Sequence, residues 1–304
     1  MYSERLEAWN IDKSNRKELI FKNFHNMPEG ESFVLAHLND PVPLHKLFEK
    51  ELPGKFEWSY LKKGPDVFEV SIRKIKRDDF TVNELMERFP AAAHVLTRYN
   101  IKYYIDGKVK VKHMITDPRV KMDDILDEMN ALSDHLGFQI HFSQWSTEHL
   151  INFIIENFHR PHRKQVSYIH HLINHMEMAH FDSHPEFFLI KDEFAEFSEN
   201  LLEHLKDEEE KLFPYILQMQ QLSKLQIEDL GSTMNWLEED HMLTADSLQK
   251  MQQLCGNYKP GKSGFPAMKL MYQELFNLQK DLQFHIYIEN NVLFEKVRHF
   301  FVNP

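Results

Sequence analysis

From about residue 146 onward, apolar residues recur every three to four positions along four long stretches, at about 147–180, 186–221, 226–256 and 265–301. That period gathers apolar side chains on one face of a helix. The stretches are separated by FDSHPE, by the region of Ser223 and by GNYKPGKSG, all rich in residues that favour turns. Four long amphipathic helices with short connections predict an up-down-up-down four-helix bundle over residues 146–304.

The first part of the chain has a different rhythm. ESFVLAHL is a short β-forming run, while RKELIFKNFHNM and PVPLHKLFEKEL carry helical spacing. FEWSYL and DVFEVSIRKI alternate apolar with polar residues and are joined by Lys62-Lys63-Gly64-Pro65-Asp66, which reads as a hairpin. With an opening strand near LEAWNID, the order β-α-β-α-β-β predicts a small two-layer α/β sandwich over residues 1–76. Residues 77–113 read as a compact helical unit. Thr81 is placed to cap a helix, Glu84 stands at the capping-box position, and Pro90 opens a second helix, PAAAHVLTRYN. Residues 114–145, containing MITDPRVKMDDILDEMNAL, read as a connecting helix pair. The predicted fold is therefore mainly α, with an α/β N-terminal part.

Composition narrows the function. A formal charge of −11 argues against a nucleic-acid partner, which would need clustered Lys and Arg. No apolar run approaches the roughly 20 residues that span a bilayer. The start, MYSERLEAWN, lacks a secretory signal, and Cys255 is the only cysteine, so a cytoplasmic protein is expected. One cysteine also excludes an internal disulfide and any thiolate cage. Against that, 19 histidines and 47 acidic residues favour a metal site built from nitrogen and oxygen.

Two segments share one device. His204 and Glu208, and again His285 and Glu289, stand four residues apart, which puts each pair on one helix face. Antiparallel neighbours bring residues to the same height when they are equally distant from the connecting turn. Folding about residue 183 sets His204 and Glu208 opposite His159 and His162; folding about 224 sets them opposite His241. Folding about 262 brings His241 close to His285. All four helices thus offer a histidine at one level. A purely structural bundle would have no use for that, because buried charge is costly unless paired or metal-bound.

The same arithmetic removes candidates. His180 is 21 residues beyond His159, about 31 Å along a helix, and His170, His171 and His175 are also at the wrong height. His162 shares a face with His159 and is held in reserve, supporting the site or lying on the helix surface. Pro161 should kink this helix and tilt His159 inward. The expected ligands are His159, His204, Glu208, His241, His285 and Glu289. Imidazoles and carboxylates without thiolate suit iron, manganese or zinc, and two carboxylates able to bridge favour two ions. His204→Ala or Glu289→Ala should lose the metal, and His180→Ala should keep it.

These residues, in the segments FHRPHR, HLKDEEEKLFP, DHM and HIYIENNVLF, resemble the hemerythrin-like (HHE cation-binding) family over residues 146–301. They are most similar to its di-iron iron–sulfur cluster repair proteins, the regulators of cell morphogenesis and nitric oxide signalling. The resemblance implies a di-iron centre that reacts with nitric oxide or peroxide, or donates iron to damaged iron–sulfur proteins. The other function carried forward is an oxygen or nitric oxide sensor or carrier signalling through the N-terminal domains; a plain metal store is the third. A homodimer is compatible with all three. That family's N-terminal domain bears a paired-cysteine motif, YCCGGK. The matching segment here is Tyr103-Tyr104-Ile105-Asp106-Gly107-Lys108, with Tyr104 and Ile105 in the cysteine positions. The first third resembles a small uncharacterised domain found beside hemerythrin-like proteins, its motif appearing as AHLNDPVPLHKLFE; His37 and His45 are read there as surface residues.

Overall fold

In the N-terminal part, Phe33 and Leu35 on one strand and Val70 and Ile72 on another are buried and spaced two apart, the pattern of a sheet with one face in a core. The computed structural model describes residues 3–302 except 53–54, 77–78, 137–140, 181–185 and 261–264. The chain divides into two compact units, Met1–Ile101 with Lys108–Gln139, and Lys102–Gly107 with Ile140–Pro304.

The first unit contains β1 (Ser3–Glu7), α1 (Arg16–Asn26), β2 (Ser32–His37), α2 (Val42–Glu51), β3 (Phe56–Lys62) and β4 (Phe68–Lys74). The sheet order is β1-β2-β4-β3: β1 runs parallel to β2, and β4 is antiparallel to both β2 and β3. Ile20, Phe21 and Phe24 of α1 and Phe48 of α2 pack with the buried strand residues in one core, so the expected two-layer sandwich is present. One detail differs. The opening strand lies earlier than LEAWNID, because Ala8–Asn10 coil into a 3₁₀ turn and Asp12 accepts from the Ser14 backbone. His37 contacts Arg16 through its Nε2, and His45 packs beside Trp58.

The rest of this unit holds α3 (Val82–Arg88), α4 (Ala92–Arg98) and α5 (Met122–Leu136). Thr81 and Glu84 form the expected reciprocal capping box. Among the described residues of 114–145, only α5 is an α-helix, where a helix pair was expected. Pro118 disfavours helix in the residue before it, and the Asp117 carboxylate instead accepts from the backbone and guanidinium of Arg119.

The second unit is built from four helical rods. They are α6 (Thr147–Ile154) running into α7 (Arg160–His180), α8 (Glu186–Asp207) into α9 (Phe213–Leu217), α10 (Lys224–Leu254), and α11 (Pro266–Ile288) into α12 (Phe294–Val302). Contacts link α7 with α8, α8 with α10, α10 with α11 and α11 with α7, which closes the bundle. The break expected at FDSHPE and the end of GNYKPGKSG lie outside the described residues. Ser223 caps α10 in a second capping box with Gln226. At its other end Gly256 has φ +57°, the left-handed turn that stops a helix. Cys255 is buried there, and burial pushes its thiol up to about 12.

Each of the three composite rods is joined by a π turn: Ile155–His159, Glu208–Leu212 and Glu289–Leu293. A π turn inserts an extra residue and advances less per residue around the axis than an α turn. Adjacent residues therefore stay closer to one side: Phe158 with His159 and Glu289 with Asn290 are all buried. Pro161 and Pro214 follow two of these turns. Each lacks the N–H that would bond the carbonyl four residues back, Asn157 or Glu210, which lies inside the turn. The expected effect of Pro161 thus takes the form of a wide turn ahead of a helix that continues through it.

Candidate metal centre

The apolar periodicity of the four rods fills one stretch of the bundle with residues such as Ile169, Phe194, Leu248 and Leu275. Nearer the other end the pattern is interrupted by buried polar groups. His159, His204, Glu208, His241, His285 and Glu289 are all buried, and both carboxyl groups are fully so. Their side-chain donor atoms form two sets, His159 with Glu208, His285 and Glu289, and His204 with Glu208, His241 and Glu289. Within each set the donor atoms lie within 4.8 Å of one another, and both carboxyl groups belong to both sets.

The nitrogens converge. His159 Nε2 is 3.2 Å from His285 Nε2, and His241 Nε2 is 3.1 Å from His204 Nε2. Two nitrogens at about 2.1 Å from one cation and at right angles stand about 3 Å apart. His285 Nε2 lies 2.9 Å from Glu289 Oε1, and His241 Nε2 lies 3.3 Å from Glu289 Oε2. None of the four oxygens of Glu208 and Glu289 makes a hydrogen bond of ordinary geometry; these contacts lie off the N–H direction. Buried carboxyl oxygens without hydrogen bonds, ringed by imidazole nitrogens, have the chemistry of a donor set for a divalent cation. The residues present fit that group.

Behind the nitrogens stands an outer layer. His159 Nδ1 is 2.8 Å from Glu209 Oε1, which also accepts from Arg163 at 2.7 Å. His241 Nδ1 is 2.8 Å from Asn290 Oδ1. His204 Nδ1 is 2.7 Å from Asp240 Oδ2, a close ion-pair contact away from the line of a straight hydrogen bond. Such partners fix the tautomer and orientation of an imidazole and raise its basicity. Sequence reasoning missed Glu209, Asp240 and Asn290, although each is the immediate chain neighbour of a residue it selected.

Electrostatics follow from this packing. Burial lowers His159 and His204, but the carboxyl groups around them prevail. Glu289, Glu208 and Glu209 raise His159, and Glu208 with Asp240 raises His204 well above the imidazole range. Burial holds His285 below it despite Glu289. Burial alone would raise the Glu289 carboxyl, yet His285, His159 and His241 keep it well below the usual range.

The segment Lys102–Gly107 belongs to this unit. The Tyr104 carbonyl accepts from Asn290 Nδ2 and Asn291 Nδ2, and the Gly107 N–H donates to Asn291 Oδ1. Tyr104 is thereby linked through Asn290 to His241. Burial pushes its hydroxyl up to about 12, against the hydrogen bond with Gln283. Of the other histidines, His170 contacts Ser198 Oγ at 2.8 Å, while His171 and His175 are exposed. His162 is buried beside His285 but belongs to neither donor set, and the side chain of His180 falls outside the described residues.

Residues 154–297 match the model of the hemerythrin HHE cation binding domain. The bundle belongs to that family. Residues 5–74 match a second model, an uncharacterized conserved protein family, DUF2249. The chain is also similar to two proteins named iron-sulfur cluster repair protein ScdA. One, from Staphylococcus haemolyticus (strain JCSC1435), is 24% identical over 215 residues, 71% of this chain and 96% of that protein. The other, from Staphylococcus epidermidis (strain RP62A), is 25% identical over 225 residues, 73% of this chain and 99% of that protein. Iron-sulfur cluster repair protein YtfE of Dickeya chrysanthemi (strain Ech1591) is 23% identical over 218 residues, 72% and 96% of the two chains. The buried His and Glu groups lie within the residues matched by that cation-binding domain and could hold a metal ion. Among the described residues, no helix is long and apolar enough to cross a membrane.

The outer layer gives a direct test in this hemerythrin domain. Glu209→Ala and Asn290→Ala should each weaken cation binding by about 10- to 100-fold, measured by titration against a competing chelator. The same substitutions at exposed His171 and His175 should change nothing.

Proposed function

We propose that this chain is a di-iron protein of nitrosative and oxidative stress, which serves the repair of iron–sulfur clusters by donating iron or by reacting with nitric oxide or peroxide. The ligands in this reading are His159, His204, Glu208, His241, His285 and Glu289. The observation that carries it is the sharing of Glu208 and Glu289 between two buried donor sets. A carboxylate common to two sets is suited to bridging two ions, and sets of two histidines and two carboxylates suit iron over softer metals. Similarity to cluster repair proteins over about 70% of the chain supports the role. When bound, two such ions supply Lewis-acid positions open to a small diatomic molecule or to peroxide.

The residues of the chain do the rest. Glu209, Asp240 and Asn290 orient three imidazoles, and the six donor residues are themselves buried from solvent. A second reading, an oxygen or nitric oxide sensor, rests on the link from His241 through Asn290 to the Tyr104 carbonyl. That link gives a change at the centre a hydrogen-bonded path into a segment whose flanking residues belong to the other unit. The absence of cysteines at Tyr104 and Ile105 means that any repair here proceeds without thiols at those positions.

Protein purified from cells without added metal should contain iron in both positions and show the visible spectrum of a non-haem di-iron centre. The iron-loaded protein should restore activity to an iron–sulfur enzyme damaged by nitric oxide. Iron without restoration, together with reversible oxygen or nitric oxide binding, would favour the sensor; absence of metal would remove both readings.

A further inference from the structure

The supports around the centre follow one direction around the bundle. Glu209, at the start of the second rod's π turn, holds His159 of the first. Asp240 of the third rod contacts His204 of the second. Asn290 of the fourth holds His241 of the third. Phenylalanines repeat the direction: Phe213 of the second rod stacks on His159, and Phe294 of the fourth stacks on His241. To close the circuit, the first rod must support His285 of the fourth. Phe158 of the first rod does stack on His285, at 5.1 Å between ring centres and 13° between planes. The polar counterpart remains to be assigned, because His285 Nδ1 is buried and makes no hydrogen bond.

His162 stands on the first rod, one turn beyond His159. It is 1% exposed, both of its ring nitrogens are buried and unbonded, and its ring centre is 5.5 Å from that of His285. At that separation two imidazole nitrogens turned toward each other come within hydrogen-bonding reach. We propose that His162 is the Nδ1 partner of His285 and completes the circuit of outer supports.

The pairing works with either proton placement, since a neutral imidazole offers one donor and one acceptor. When His285 Nε2 carries its proton toward Glu289, Nδ1 accepts from His162. When Nε2 faces a cation, Nδ1–H donates to His162. His162 is thus a positioning residue that acts through His285. The inference rests on the metal-centre reading only for its consequence; the proposed pairing involves residues of the chain alone.

The test uses the full-length, ¹⁵N-labelled protein, metal-free and loaded with diamagnetic zinc. A ¹⁵N–¹⁵N scalar coupling across the N–H···N bond should connect the His162 and His285 rings in at least one of the two states; its absence from both overturns the proposal. In parallel, His162→Leu should weaken zinc binding by about 10- to 100-fold with the same number of ions at saturation. His162→Gln, whose amide can both donate and accept, should stay within a few-fold of wild type and guards against a packing defect in the leucine variant. Wild-type affinity in His162→Leu overturns the proposal, and so does loss of an ion at saturation, which would make His162 a ligand. Wild-type protein that takes up no zinc defeats the metal-centre reading, while the coupling in the metal-free protein still decides this one.

Discussion

Glu208→Gln and Glu289→Gln are each expected to reduce bound metal about tenfold or more, emptying both positions, whereas His204→Ala should empty chiefly one. The difference follows from membership of the two donor sets. Each histidine belongs to one set, but Glu208 and Glu289 belong to both. Glutamine preserves side-chain volume, so the bundle packs as before, but it removes the charge that offsets two cations and one of the two oxygens able to bridge them. Both residues are fully buried, and solvent cannot take over their role. Metal analysis of each variant, at matched helical content by circular dichroism, checks this. Full metal content in Glu208→Gln would sink the shared-carboxylate reading, and equal loss in all three variants would show that the positions fill only together.

Why the six central residues could be read from the sequence, and their supports could not, is a matter of which physical rules act on each. His204 with Glu208 and His285 with Glu289 follow the helical period. Once the turns are located, heights along antiparallel rods follow from 1.5 Å per residue. The N-terminal sandwich was legible for a similar reason: Phe33, Leu35, Val70 and Ile72 keep the period of two. A π turn has no such signature, because one added residue changes neither propensity nor the apolar pattern appreciably. Pro161 and Pro214 were its only visible signs, and Glu295 occupies the corresponding place after the third turn. Glu209, Asp240 and Asn290 read as solvated helix positions because they adjoin inward-facing residues on what would be an unbroken α-helix. The wide turn keeps Glu209 and Asn290 near the inward side, and each bonds a ligand candidate of a neighbouring rod. Of the helix pair expected over 114–145, one α-helix is present among the described residues; near Pro118 a carboxylate that accepts from the backbone two residues on, Asp117 from Arg119, competes with a helical turn.

Removing the metal should lower the melting temperature of the bundle by about 8–16 °C. A cation present at 1,000 times its dissociation constant adds about 4 kcal/mol to the folded state, and each kcal/mol shifts a domain of 150–250 residues by about 2–4 °C. Calorimetry with and without chelator should show the shift in the transition of the hemerythrin domain. The transition of the N-terminal sandwich, which carries none of the donor residues, should not move. Superimposable traces would mean that nothing binds. A second substitution then separates function from stability. Glu208→Met with Glu289→Met removes two fully buried carboxyl groups whose oxygens lack hydrogen bonds, and fills their volume with apolar atoms. Replacing buried charge by well-packed apolar groups is commonly neutral or stabilising. His159 and His204 retain Glu209 and Asp240, so their imidazoles keep a partner. The double variant should therefore melt at or above the metal-free wild type and ignore added metal. If it instead melts well below, the carboxyl groups stabilise the metal-free bundle through their imidazole contacts. If it melts as expected, Glu208 and Glu289 are present at the expense of stability, which is the mark of groups kept for what they bind.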